Sequence, residues 1–184
     1  METVRTRSES RVGLLEAWLG KNGIVLWNKA NGIDESPVVP YHEQKSISTE
    51  STFPTDTIDL GFIHSELVRM TEKVAYEHRQ DDKMTGCITV KIRYHNFETT
   101  SRQISIPYTF YDDELIAKAR ELFGKLYRKG QAVRLLGVRL SELTNEAVQT
   151  NLFDNTARKN ALYKAIDDVK NKFGKLSITK AAGK

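Results

Sequence analysis

The sequence predicts an α+β fold, a ferredoxin-like split βαββαβ unit whose four-stranded antiparallel sheet carries two helices on one face. Three observations carry this expectation. Strand-like and helix-like segments alternate between residues 46 and 143 as strand, helix, strand, strand, helix, strand. Each helical segment has one apolar stripe and each strand one apolar parity, so both helices must cover the same side of the sheet and leave the other bare. A chain of 184 residues, 39% of them apolar, buries one compact core with small appendages.

Residues 11–32 read as a helical pair. Leu14, Leu15, Trp18 and Leu19 recur at helical spacing, GKNG breaks the run, and IVLWNKAN resumes it up to Gly32. Pro37 and Pro40 lie in a stretch without periodicity, so 35–45 is a linker after a helical piece at 1–34. Residues 45–53, KSISTESTF, form a polar strand. An amphipathic helix spans 57–79 through Leu60, Ile63, Leu67, Met70 and Val74. A hairpin joins strands 86–95 and 99–107 through a turn at 96–98. The second helix runs from Asp112 and Asp113 to residue 128 on Leu115, Ile116, Ala119, Leu122, Phe123 and Leu126. A last strand covers 133–141, and residues 144–184 form a tail.

Composition excludes several classes. One cysteine, Cys87, provides no disulfide framework or thiolate metal cage, and a reducing, cytoplasmic setting follows. His42, His64, His78 and His95 lack metal-ligand spacing, so no metal site is expected. No apolar run reaches the roughly 20 residues of a membrane span, and METVRTRSES has no signal-peptide core. A net charge of +4 is compatible with a polyanionic partner.

The bare sheet face is where function is expected. Ile88, Val90, Ile92 and Tyr94 share the parity that meets the helices, which turns Thr89, Lys91, Arg93 and His95 to water. In VRLLGVRLS strict alternation would bury an arginine. A bulge at Leu136 or Gly137 restores Val133, Leu135, Val138 and Leu140 to the inside and sends Arg134 and Arg139 outward. Four cations separated by hydroxyl residues rather than by acids suit a phosphate backbone. Thr99, Thr100, Ser101 and Arg102 extend this polar surface, although alternation with Ile104 and Ile106 leaves open which of them point outward. The outward strand positions carry no aromatics for base stacking, which argues against an RNA-recognition motif.

At this point LGKNGIVLWNKANGIDESPVVP, KSISTESTF, VKIRYHNFETTSRQ and VRLLGVRLSEL identify a likeness. In that order, over residues 12–153, they resemble the C-terminal part of Y-family translesion DNA polymerases of the bacterial DNA polymerase IV group: the end of the thumb, a linker, and the little finger domain at 46–143. The resemblance implies that Lys91, Arg93, Arg102, Arg134 and Arg139 contact the backbone of duplex primer–template DNA. Ser46, Thr99, Thr100 and Ser101 would supply hydrogen bonds. It also implies palm and fingers as partners, with catalytic Mg²⁺ ions held about 3.5–4 Å apart by palm carboxylates. No catalytic residue or cofactor is expected in this chain. Its acidic pairs, Asp81 with Asp82, Asp112 with Asp113 and Asp167 with Asp168, are read as helix caps and solvated charge. The chain is therefore expected to be a separated portion of a longer nucleotidyltransferase, inactive by itself.

Gln149, Leu152 and Phe153 match the Gln-x-x-Leu-Phe pattern with which bacterial polymerases dock on the sliding clamp. The other reading is that Leu152 and Phe153 pin the tail to the core. Beyond them Leu162, Ala165, Ile166, Val169 and Phe173 form a helical apolar stripe, capped by Asn155 or Thr156. That stripe either packs back onto the domain or binds another partner. The competing function is a ferredoxin-like protein-interaction adaptor with no DNA role.

Overall fold

A computed structural model of the chain describes residues 12–39, 44–145 and 156–183. The chain divides into two units, Met1–Glu43 and Gln44–Lys184. In the first, α1 (Val12–Leu19) and α2 (Lys21–Ala30) form the expected pair. Gly23 makes their contact possible: a Cβ there would lie 2.1 Å from the carbonyl oxygen of Leu15, so no larger residue fits.

The second unit contains β1 (Ser46–Thr57), α3 (Leu60–Gln80), β2 (Met84–Tyr94), β3 (Thr99–Thr109), α4 (Asp112–Leu126), β4 (Val133–Thr144) and α5 (Thr156–Phe173). The strands form one antiparallel sheet in the order β1-β4-β2-β3. Ile63, Leu67, Met70 and Val74 of α3 and Leu115, Ala119, Leu122 and Phe123 of α4 meet Ile88, Val90, Ile92, Tyr94, Leu136, Val138 and Leu140 in a single core. Burying each large aliphatic side chain there contributes roughly 1.5–3 kcal/mol. Helix α3 starts with the first residue of its stripe, Leu60, three residues later than the expected span of 57–79. Asp59 caps it, accepting from the amides of Gly61 (2.8 Å) and Phe62 (3.2 Å), while Thr57 still pairs with Val133.

The kink in β4 lies elsewhere than the sequence suggests. Leu135 to Ser141 stay in unbroken register with β2, and the irregularity falls at Arg134, between the pairs Tyr94–Val133 and Arg93–Leu135. Leu136, not Leu135, therefore enters the core. Leu135 lies on the opposite face beside Arg93, where neighbours still leave it only 6% exposed. The pairing of β1 with β4 also breaks at this height, between Thr52 and Thr57, so both neighbours of β4 lose register there.

The tail answers a question that the sequence leaves open. Helix α5 docks on the domain, but through Tyr163, Asp167 and Lys170, while Leu162 (56%) and Phe173 (67%) of the apolar stripe remain exposed. Asp167 binds Arg79 through two bonds, Nε to Oδ2 (2.8 Å) and Nη2 to Oδ1 (2.9 Å). Nη1 of Arg79 donates to Phe110 O (2.9 Å) and to Asp112. Burial disfavours the Arg79 charge, yet the bonds from Asp167 and the charge of Asp112 outweigh it and raise the guanidinium pKa. Asp112 and Asp167 are thus buried ion-pair partners rather than solvated charge. Their meeting joins residues 88 and 33 positions from Arg79, which no local pattern records. Around them Tyr163 donates to Asp113 (2.6 Å), Lys159 pairs with Asp113 (3.2 Å) and Glu114 (2.7 Å), and Tyr76 bonds Asn171 (2.5 Å).

Candidate nucleic-acid interface

The helix-free face of the sheet is built from rungs that cross all four strands. Reading from β1 to β3, one rung is Ser48, Arg139, Thr89 and Gln103. The next is Glu50, Gly137, Lys91 and Ser101, and a third is Thr52, Leu135, Arg93 and Thr99. Ser46 stands on the same face of β1, beside Ser141. Two-residue periodicity along each strand accounts for these positions, since the alternate residues fill the core.

Two of the expected residues lie on the other side. Thr100 pairs with Ile92 and Arg102 with Val90, so both share the helix-facing parity. Because β3 is an edge strand, Arg102 is still exposed beyond the limit of the core. Arg102 and Thr100 are therefore not members of the flat face. The sequence left this open, since only the register with β2 settles which half of TTSR turns outward.

The face also carries more negative charge than its hydroxyl-rich sequence suggests. Lys91 bonds Glu50 at 2.5 Å across β4. Gly137, opposite both of them, makes this crossing possible: a Cβ there would sit 2.9 Å from Glu50 Cγ and 3.4 Å from Lys91 Cβ. The glycine that reads as a bulge signal is instead the gap through which an ion pair passes. Arg134 pairs with Asp56 at 3.4 Å and lies over the Phe97 ring, 4.8 Å from its centroid. Arg93 Nε donates to Thr99 Oγ1 (2.9 Å), and among the described residues neither Arg93 nor Arg139 has a carboxylate partner. Arg139 and Arg93 are thus the available cations, with Lys91 and Arg134 held in pairs that a phosphate must compete with. Each such half-exposed pair is worth about 1 kcal/mol or less, so it can open when a polyanion approaches.

Removing the counter-charge should expose this competition. Glu50→Gln is expected to tighten duplex DNA binding severalfold at low salt and to steepen its salt dependence by about 0.9, one additional phosphate contact. Fluorescence anisotropy against a salt series reads both. No change in either would mean that Lys91 points its charge away from DNA.

Sequence reasoning missed Glu50, Asp56 and Phe97. Glu50 had a signal, since it shares parity with Ser48 and Thr52, but its meeting with Lys91 depends on strand order. Gln149, Leu152 and Phe153 lie outside the described residues. Among the described residues no three histidine, cysteine or carboxylate side chains converge on a potential metal position, and no helix is long and apolar enough to cross a membrane.

The impB/mucB/samB family C-terminal domain matches residues 44–152. The whole chain is 31% identical to DNA polymerase IV of Desulfatibacillum aliphaticivorans, over 99% of its own length and 48% of that protein's. It is 35% identical to DNA polymerase IV of Dehalococcoides mccartyi over 89% of this chain and 43% of the relative. DNA polymerase IV of Clostridium acetobutylicum is 31% identical over 95% of this chain and 45% of its own length. The chain therefore spans about half the length of the relatives it matches.

Proposed function

Because this chain belongs to the impB/mucB/samB family, whose C-terminal domain it carries, we propose that it holds primer–template DNA for a translesion polymerase of the DNA polymerase IV kind. The observation that supports this reading most is the helix-free sheet face, where Arg93 and Arg139 stand beside Ser46, Ser48, Thr89, Thr99 and Ser101 and have no carboxylate partner among the described residues. Guanidinium groups and hydroxyls at these heights suit phosphate oxygens and sugars, which carry no base sequence. Binding is therefore independent of sequence, which suits an enzyme that follows any template past damage.

Nucleotidyl transfer in this reading belongs to a palm and fingers in a longer protein. The described residues do not fit the Mg²⁺ pair that such chemistry uses: Asp112 and Asp167 are committed to Arg79, and Asp81 and Asp82 stand at the exposed end of α3. Supporting lesion bypass would fall to this chain through grip on the duplex. Gln149, Leu152 and Phe153 would add attachment to the sliding clamp, with Leu152 and Phe153 filling an apolar cleft and the Gln149 amide orienting the peptide.

Two measurements on one pair of proteins test this. Duplex affinity of the chain should fall steeply with salt, with a log–log slope of about −0.9 for each phosphate neutralised. The double variant Leu152→Ala/Phe153→Ala should keep that slope and lose binding to the clamp. A flat salt profile would remove the DNA role and favour the protein-interaction adaptor. Retained clamp binding by the double variant would remove the docking role of the pentapeptide.

A further inference from the structure

The β2–β3 hairpin turns through His95, Asn96 and Phe97, closed by Tyr94 N–H to Glu98 O (2.9 Å) and Phe97 N–H to Tyr94 O (2.9 Å). Phe97 adopts φ 64°. Three-residue hairpin loops require one left-handed residue, and glycine fills it without a steric penalty. A bulky side chain in that conformation is an outlier. Its ring recovers little by burial, since Phe97 is 66% exposed. Folding alone favours glycine at this position, so the phenyl ring points to a contact made outside the chain.

The surroundings define the chemistry of that contact. The Arg134 guanidinium lies over the ring at 4.8 Å, leaving most of the ring to solvent. The adjoining rung is Arg93 with Thr99, at the end of the polar sheet face. A flat apolar ring beside two guanidinium groups matches a nucleotide whose base is free to stack and whose phosphate needs a cation. Paired bases inside a duplex offer no open face to such a ring. We propose that Phe97 is a stacking platform for an unpaired base next to the duplex end, with Arg134 and Arg93 facing its phosphates. This rests on the DNA-holding reading and adds a single-stranded subsite to it.

The test uses the whole chain and two DNA duplexes that differ only in a short unpaired extension. One extension is three deoxyadenosines, the other three abasic residues with the same phosphates. The chain is expected to prefer the base-bearing extension by about fivefold or more, the scale of one stacked base. Phe97→Gly should abolish that preference while its melting temperature stays level or rises, because the left-handed strain is relieved. Phe97→Leu, apolar but without an aromatic face, should also lose the preference, and Phe97→Trp should keep it. Equal affinity of the unmodified chain for both extensions, with blunt duplex still bound, would overturn the stacking site and leave the DNA-holding reading standing. A preference that survives in Phe97→Gly would overturn it equally. Failure to bind even blunt duplex would remove both.

Discussion

Arg79→Ala is expected to lower stability by about 3–5 kcal/mol, the scale for removing one partner of a buried ion pair. The Arg79 side chain is 7% exposed, and of the carboxylates that meet on it Asp112 is more enclosed and Asp167 a little less. Truncation removes the cation that both buried carboxylates bind, leaves Asp112 only the weaker attraction of Lys170 and Lys180, and frees a face of α5 whose docking depends on Asp167. For a chain of this size the melting temperature should drop by roughly 6–20 °C. The sign with pH is specific. Without Arg79 the Asp112 carboxyl, whose pKa burial already raises above its ordinary value, is held higher still. The folded variant then binds more protons than the unfolded chain in that window, so its deficit shrinks as pH falls. In the unmodified chain Arg79 offsets part of that burial effect on Asp112, so the gain on acidification should be smaller. Thermal denaturation at pH 5 and pH 7.5 measures this, and hydrogen exchange in 156–173 should rise only in the variant. Replacing the triad with apolar residues, Arg79→Met with Asp112→Leu and Asp167→Leu, should recover most of the loss, since well-packed apolar groups often equal a buried ion pair. An unchanged melting temperature for Arg79→Ala would mean that α5 is not held by this cluster.

Arg93→Ala/Arg139→Ala should produce the largest loss of duplex binding. Each arginine lacks a carboxylate partner among the described residues, so no anion of the chain competes with phosphate for it. Losing one charge-assisted hydrogen bond costs about 1.5–3 kcal/mol, or at least tenfold in affinity for each arginine. The salt slope should become shallower by about 1.8, from two phosphates no longer neutralised. The loss should be the same for every sequence, since the contacts are to the backbone. Lys91→Ala is expected to cost less than either arginine, because binding must first part Lys91 from Glu50. Filter binding on two unrelated duplexes across a salt series separates these cases. A sequence-selective loss, or an unaltered slope, would show that the arginines do not lie along the backbone.

The fold was legible because its signals are local. Ile63, Leu67, Met70 and Val74 lie on one side of a 3.6-residue period, and Ile88, Val90 and Ile92 on one side of a 2-residue period, so each element declares its buried face within a few residues. The turn expected at residues 96–98 falls one residue earlier, through His95, Asn96 and Phe97, because β2 ends at Tyr94. The site was legible in part. Lys91 and Arg93 were assigned to the open face by alternation alone and Arg139 through a bulge placed at the wrong residue, and the structure puts all three there. Thr100 and Arg102 were not separable from Thr99 and Ser101, because an edge strand half-covered by the core has weak alternation.

By itself, then, the sequence determined which segments are helix or strand, that one sheet face stays wet, and which family the chain joins. Those properties depend on side-chain periodicity and on ordered motifs, both carried by neighbouring residues. Tertiary structure alone decided that Gly137 is a passage for the Lys91–Glu50 pair, that the kink sits at Arg134, and that α5 docks by charge through Arg79. Each of these joins positions far apart in the chain, and such meetings are set by strand order and packing, which leave no periodic trace in the sequence.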